Sequence, residues 1–269
     1  LIRRRLYGGI PSRDDSGDLM LIAHITDLHI AGEGEYPYDV DVRSRFVRVL
    51  EDLTSHEPEL LVLGGDLCYR EGSRSVYLWI RERLEMQGIP YLLIPGNHDD
   101  TSLMAQVFGL ENRLVEGRYY FSRDLEGRRV LFLDTADDSL SEDQIVYLEK
   151  ELAAAGNGEL LIFMHHPPVL SGVYYMDLKY PLLNSGRVGP LLAESRARVT
   201  VFCGHYHVEK SVMMGNLRVF ITPSIFVQID QEARSFAVDH RGFGWRKIRL
   251  DQGILWTTVR YISEERREN

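Results

Sequence analysis

An α/β sandwich of two sheets with helices on its outer faces is the fold the sequence predicts, on three observations. Five short apolar runs of strand length punctuate the chain, each ending in Gly or a polar residue. Helical periodicities separate several of these runs. After Cys203 the pattern turns to strands without strong helices between them.

The runs span Leu19 to Ile25, Leu60 to Leu63, Tyr91 to Ile94, Leu160 to Met164 and Val199 to Cys203. Their near-continuous apolarity is that of strands covered on both faces. Between the first and second, Phe46, Val49, Leu50 and Leu53 recur at helical spacing, and between the second and third Val76, Ile80 and Leu84 do the same, predicting crossover helices. Ser141 with Gln144 three residues later makes a capping box ahead of Ile145, Leu148 and Leu152, and Gly156 supplies the stop. An extra strand is predicted at Val130 to Leu133, and later ones at Leu217 to Thr222, Ser235 to Val238, Trp245 to Leu250 and Ile254 to Tyr261. Alternating strands and helices give a parallel sheet with right-handed crossovers, against which the later strands pack as a second sheet.

At 269 residues one domain is expected, over residues 19–262, between an N-terminal extension (1–18) and a C-terminal tail (263–269) whose polar composition predicts fraying. Hydrophobic residues at 44% and charged residues at 26% are those of a soluble globular protein with a full core, which sets aside disordered and collagen-like classes. The net charge of −9 repels polyphosphate, so a long nucleic-acid partner is not expected. A small anion is still drawn in where a metal cluster supplies local positive charge. Cys68 and Cys203 are too few for a disulfide framework and are not spaced as a zinc pair, which points to a reducing cytoplasm. No apolar run reaches the length of a membrane span. Leu1 to Arg5 lack the apolar stretch of a signal peptide, and because the first residue is not Met an upstream segment is expected to be missing.

In open parallel sheets ligands bind beyond the carboxyl ends of the strands, and here metal-ligand residues follow each of the five runs at once. They are Asp27 and His29; Asp66 after Gly64 and Gly65; Asn97, His98 and Asp99 after Gly96; His165 and His166; and His205 and His207 after Gly204. Singly, each has a plainer explanation: Asp27 as a helix cap, the glycine pairs as turns, a lone His as a hydrogen-bonded structural residue. Jointly they point to a site, since six of the nine histidines fall in these groups. Carboxylate, imidazole and amide oxygen without thiolate form a mixed donor set suited to Mn, Fe or Zn, and the number of ligands implies two ions. The adjacent glycines permit sharp turns and keep side-chain bulk away from the metals. Periodicity alone leaves open whether His165 or His166 is the ligand, because neighbouring strand residues point to opposite faces.

The ordered set Asp27-Leu28-His29, Gly64-Gly65-Asp66, Gly96-Asn97-His98-Asp99, His165 and Gly204-His205-Tyr206-His207 resembles the signature of the calcineurin-like metallophosphoesterases, over about residues 20 to 210. The resemblance implies a two-metal site on a two-sheet α/β sandwich. It selects His165 as the ligand, allocates Asp27, His29 and His207 to one ion and Asn97, His165 and His205 to the other, and lets Asp66 bridge them. The Asp-Leu-His opening, His165-His166-Pro167-Pro168 and Pro223-Ser224 are similar to the class III cyclic nucleotide phosphodiesterase group. Two departures touch no metal position: His24 stands where that group often has Gln, and Phe243-Gly244-Trp245-Arg246 replaces Pro-Gly-Tyr-Arg.

The chemistry so implied is hydrolysis of small phosphodiesters, cyclic nucleotides among the candidates, by in-line attack of a metal-activated bridging water. The alternatives are a phosphomonoesterase with the same site, a nuclease, for which the chain lacks an advertised basic groove, and a non-catalytic scaffold, which would lack ligands that are all present here. His98 is surplus to the ligand count and placed to protonate the leaving oxygen, with a structural role as its plainer reading. Asp99 is expected to orient His98 or to cap a helix beginning near Thr101. Tyr69, Arg70, Tyr174, Tyr175 and Met176 are candidates for shaping the pocket, and equally ordinary loop and core residues. Cys203 reads as a small buried hydrophobe, and His56 and His240 as surface or turn residues.

Overall fold

The structure, a computed structural model, describes residues 20–263; the predicted N-terminal extension, Leu19 and residues 264–269 of the predicted tail lie outside them. β1 (Met20–Ile25), β2 (Leu60–Leu63) and β3 (Tyr91–Leu93) run parallel, joined by helices α1 (Val42–Thr54) and α2 (Arg74–Gln87). Helix α3 (Thr101–Phe108) then packs beside α2. A hairpin of β4 (Phe121–Leu125) and β5 (Arg128–Phe132) opens a second sheet. Helix α4 (Glu142–Ala155) leads to β6 (Glu159–Phe163), and α5 (Tyr174–Lys179) and α6 (Ser185–Ala193) lead to β7 (Arg198–Cys203). Strands β8 (Lys210–Met214) and β9 (Leu217–Ile221) complete that sheet, and β10 (Gln228–Ile229) and β11 (Val238–His240) form a small ribbon. β12 (Phe243–Asp251) and β13 (Ile254–Ile262) return to the first sheet, giving orders β13-β12-β1-β2-β3 and β4-β5-β6-β7-β9-β8.

The five predicted runs are therefore shared between two sheets rather than aligned in one: β1, β2 and β3 belong to the first, β6 and β7 to the second. The chain changes sheet after α3 through the β4–β5 hairpin, and each sheet is mixed because antiparallel strands close its edges. The strand expected at Ser235 to Val238 lies instead at Val238–His240. Its polar residues Asp239 and His240 have low strand propensity, and it exists by pairing with β10. Helices α5 and α6 were not anticipated, the second carrying Gly186, Gly189 and Pro190 inside its span.

Local chemistry explains the helix ends that were anticipated. Ser141 accepts a hydrogen bond from the Gln144 backbone at 3.3 Å, and Gly156 follows the last turn of α4. Only half of the capping box forms, because the Gln144 amide instead accepts from Asp134 N at 2.9 Å and donates to Asp134 O at 2.8 Å.

Three apolar layers result. Helices α1 to α3 cover the outer face of the first sheet through Phe46, Leu53, Tyr77, Ile80 and Met104, and α4 and α6 cover the second through Ile145, Leu148, Val188 and Leu192. Between the sheets, Ile22, Val62 and Ile248 face Val130, Leu161 and Phe163. Strand register places Phe121, Phe132, Phe163, Phe202 and Phe220 directly across from one another, so their rings stack at 4.6, 5.3, 5.4 and 5.6 Å. Phe163 lies mid-ladder and fully buried. Phe163→Ala is expected to cost about 3–5 kcal/mol of stability. Leu183→Ala, at a side chain 72% exposed, is expected to change it by about 0.5 kcal/mol or less, the urea midpoints measuring both.

Candidate metal centre

The loops that leave β1, β2, β3, β6 and β7 meet at one open end of the sandwich, between the two sheets. Their backbone is bent to an unusual degree. Asp27 (φ 53), His29 (φ 45), Asp66 (φ 50), His205 (φ 65) and His207 (φ 50) all lie in the left-handed region, which costs a non-glycine residue about 1–3 kcal/mol. The bends are held by backbone bonds from Asp27 N to Gly65 O at 3.0 Å and His29 N to Asp66 O at 2.9 Å. Space is tight enough to require glycine at two points. A Cβ on Gly96 would collide with Asp66 Oδ1 and the Asp66 backbone N, and one on Gly204 with Thr26 Oγ1 and Asp27 Oδ2.

Two donor groups result, and they share one member. Asp27, His29, Asp66 and His207 offer ligand atoms within 4.8 Å of one another, as do Asp66, His165 and His205, all of them buried. Asp66 Oδ2 lies 3.2 Å from His165 Nε2 and 3.6 Å from His29 Nε2, while Asp27 Oδ1 lies 3.3 Å from His207 Nε2 and 3.8 Å from His165 Nε2. Carbonyl oxygens, which only accept, assign the imidazole protons. His165 Nδ1–H donates to Gly64 O at 2.8 Å and His207 Nδ1–H to Val227 O at 3.0 Å, so both Nε2 lone pairs face the carboxylates. His205 Nε2–H donates to Tyr180 O at 2.9 Å, leaving Nδ1 as its lone-pair nitrogen. His165 Nε2, His29 Nδ1 and Asn97 Oδ1 are buried without a hydrogen-bond partner among the described residues. Lone pairs and carboxylates packed this way repel one another unless positive charge lies among them, and the donor types suit transition-metal cations.

The electrostatics carry the same demand. Burial opposes ionisation of Asp27 and Asp66, yet His207 and His165 hold the first, and His165 and His29 the second, well below the usual carboxylate range. Burial depresses His165 too, but Asp66 and Asp27 outweigh it and carry the imidazole up to about 9. His29, where burial prevails over Asp66, falls to about 3.

The structure brings seven expected residues to this end: Asp27, His29, Asp66, His165, His205 and His207 in the two groups, and Asn97 with its unpartnered oxygen. His98 sits beside them, its ring 5.0 Å from His29 and its Nδ1–H donating to Arg70 O at 2.9 Å, which leaves Nε2 free. His166 faces away from the carboxylates, bonded to Thr135 and 3.1 Å from Asp138, with its ring 3.9 Å from His205. Asp99 neither caps α3 nor bonds His98. Asp100 is the cap, accepting from Leu103 N at 2.8 Å. Asp99 instead accepts from Leu67 N at 3.1 Å, Cys68 N at 3.2 Å, Gly96 N at 2.9 Å and Tyr77 OH at 3.0 Å, clamping the two glycine turns together. Burial and the neighbouring Asp66 push its carboxyl up to about 6. Met176 is buried in the outer core rather than lining a pocket, whereas Tyr69 lies against His29 and Tyr174 is exposed. Cys203 is buried, His56 packs edge-on against Trp245, and His240 is an exposed strand residue.

Several supports had no signal in the sequence. The carbonyls of Gly64, Val227 and Tyr180 that orient three imidazoles carry no side-chain identity. Ser224 Oγ donates to Asp27 O at 2.9 Å and accepts from Phe226 N at 2.8 Å. Tyr77 reads as an apolar helix position, yet its hydroxyl bonds Asp99.

Comparison with known proteins gives the same direction. A family model described as calcineurin-like phosphoesterase matches residues 20–209. A protein of Fibrobacter succinogenes named as a probable cyclic nucleotide phosphodiesterase is 35% identical over 241 residues, covering 90% of this chain and 93% of that protein. The 3',5'-cyclic adenosine monophosphate phosphodiesterase CpdA of Escherichia coli strain K12 is 30% identical over 254 residues, 91% of this chain and 90% of that protein. Among solved structures, a dimetal phosphatase from Danio rerio matches in fold with a TM-score of 0.63 at 14% identity, over 89% of this chain and 98% of that one. With the signature residues gathered at one end of a two-sheet sandwich and a relative 35% identical across 90% of its length, the chain belongs to the calcineurin-like phosphoesterase family.

Proposed function

We propose that the protein is a binuclear metal-dependent phosphodiesterase acting on small phosphodiesters, with cyclic nucleotides as candidate substrates. The observation that carries this reading is the pair of buried donor groups that share Asp66. Asp27, His29 and His207 would hold one cation, Asn97, His165 and His205 the other, and Asp66 would serve both. Manganese, iron or zinc suits these donors. When bound, such a pair supplies Lewis-acid charge to the phosphate oxygens and lowers the pKa of water towards neutrality.

The chain's own residues do the rest. His98, fixed through Nδ1 by Arg70 O, has Nε2 free to hold a proton and release it to the leaving oxygen. Asp99 keeps the Gly96 turn against the Asp66 loop, so that Asp66 and His98 stay in register. The names of the two relatives above favour diesters over monoesters, and the net charge of −9 disfavours a long nucleic acid as substrate. No helix of the described residues is long and apolar enough to cross a membrane. A cytoplasmic setting is supported by Cys68 and Cys203, both buried and unpaired.

The test is to quantify metals in the purified protein and to assay cyclic nucleotides, linear diesters and monoesters with added manganese, iron and zinc. Faster turnover of diesters is expected, and a preference for monoesters would overturn the reading. Asp66→Ala is expected to empty both groups of metal, because one carboxylate serves both. His98→Ala should retain the metals while turnover falls by about 10²–10⁴-fold. Loss of metal in that variant would make His98 a ligand. Gly96→Ala is expected to displace the Asp66 carboxylate and lower bound metal, as read by atomic emission, with far-ultraviolet circular dichroism unchanged.

A further inference from the structure

Aromatic rings from five separate segments line the rim beyond the ligands. Phe226 is buried against His29, with ring centres 5.3 Å apart, and reaches outward to Tyr69 and Tyr38, each at 5.7 Å. Tyr38, ahead of α1, meets Phe236 at 5.6 Å, and Phe236, between β10 and β11, meets Tyr175 of α5 at 6.1 Å. The series thus runs without a break from a ligand imidazole to the surface. Its outer members are wet: Tyr38 is 48% exposed and Phe236 40%. Tyr38 (φ 53) and Asp39 (φ 58) also lie in the left-handed region, where a bulky residue stays only when its surroundings hold it. Core packing explains Phe226, but exposed rings on a constrained loop have little to gain from folding alone. Two cations border the series in an otherwise acidic chain, Arg70 over Tyr69 and Arg234 over Tyr174, both at 5.5 Å.

We infer that Tyr38, Phe236 and Tyr175 form a stacking subsite for a planar heteroaromatic ring of the nucleobase kind, carried by the substrate about one sugar away from its phosphorus. This rests on the phosphodiesterase reading, because the donor groups must fix the phosphate for the rim to meet the substituent. Phe226 and Tyr38 stand between His29 and Phe236, so a ring bonded directly to the phosphate stops short of the rim. A ring carried on a spacer such as a pentose is what the subsite calls for. Stacking of this sort tolerates different bases, since each presents a π face.

The test uses the manganese-loaded protein and calorimetric titration with AMP, phenyl phosphate and methyl phosphate. AMP is expected to bind tighter than methyl phosphate by roughly 5- to 150-fold, the worth of one base–aromatic stack, with phenyl phosphate close to methyl phosphate. In Phe236→Ala the AMP-to-methyl ratio should fall towards one. Phe236→Leu, which keeps apolar bulk without a ring face, should lower the ratio as well and serves if the alanine variant does not fold. Equal affinities in the unaltered protein, or a ratio unmoved by both substitutions, would overturn the subsite. A phenyl phosphate advantage equal to that of AMP would overturn the sugar-length spacing. If the protein hydrolysed no diester yet kept a Phe236-dependent preference for AMP, the hydrolytic reading would fall and the subsite would stand.

Discussion

The Asp66 carboxylate faces His165 Nε2 at 3.2 Å and His29 Nε2 at 3.6 Å, with all three side chains buried. His165 points Nε2 there, since its Nδ1–H is spent on the Gly64 carbonyl. Burial of that many electron-rich atoms is tolerable only with positive charge among them. The need for cations is therefore built into the hydrogen-bond pattern. One carboxylate common to two groups also makes the two positions interdependent, which is the arrangement displacement at phosphorus uses.

Holding these atoms together has a conformational cost that the rest of the fold offsets. Five residues of the donor groups sit in the left-handed region, and each would relax to an ordinary conformation if freed. They are restrained by contacts that cross from one sheet to the other. His205 N donates to the Asp27 carboxylate at 3.0 Å, His165 donates to Gly64 O at 2.8 Å, and Ser224 donates to Asp27 O at 2.9 Å. Those contacts stay in place because the sheets themselves are held by the buried layer of Ile22, Val62, Phe163 and Phe202. Stability in the interior and strain at the open end are two aspects of one arrangement.

Much of the fold was legible because its residues obey local rules. Phe46, Val49, Leu50 and Leu53 do lie on the buried face of α1, and Ser141 does cap α4. Legibility failed where a partner decides the outcome. Gln144 completes the pattern of a capping box but bonds Asp134 instead. Asp99 reads as a cap in the sequence, yet Asp100 takes that place, and the positions of Leu67, Cys68 and Tyr77 give Asp99 its other role. Val238–His240 pairs as a strand because β10 lies alongside, not because its side chains prefer to be extended.

By itself the sequence determined the kind of site: Asp, His and Asn following strand-length runs, with glycines where side chains would intrude, name the donors and so the class of cation. Only the tertiary structure decided that those donors come from two sheets, and that the Gly64 carbonyl turns His165 Nε2 towards Asp66. It alone joined Tyr38, Phe236 and Tyr175 at the rim. The reason is physical. Donor identity belongs to each residue, whereas direction, proton position and proximity depend on carbonyls and side chains distant in the chain, which no local pattern encodes.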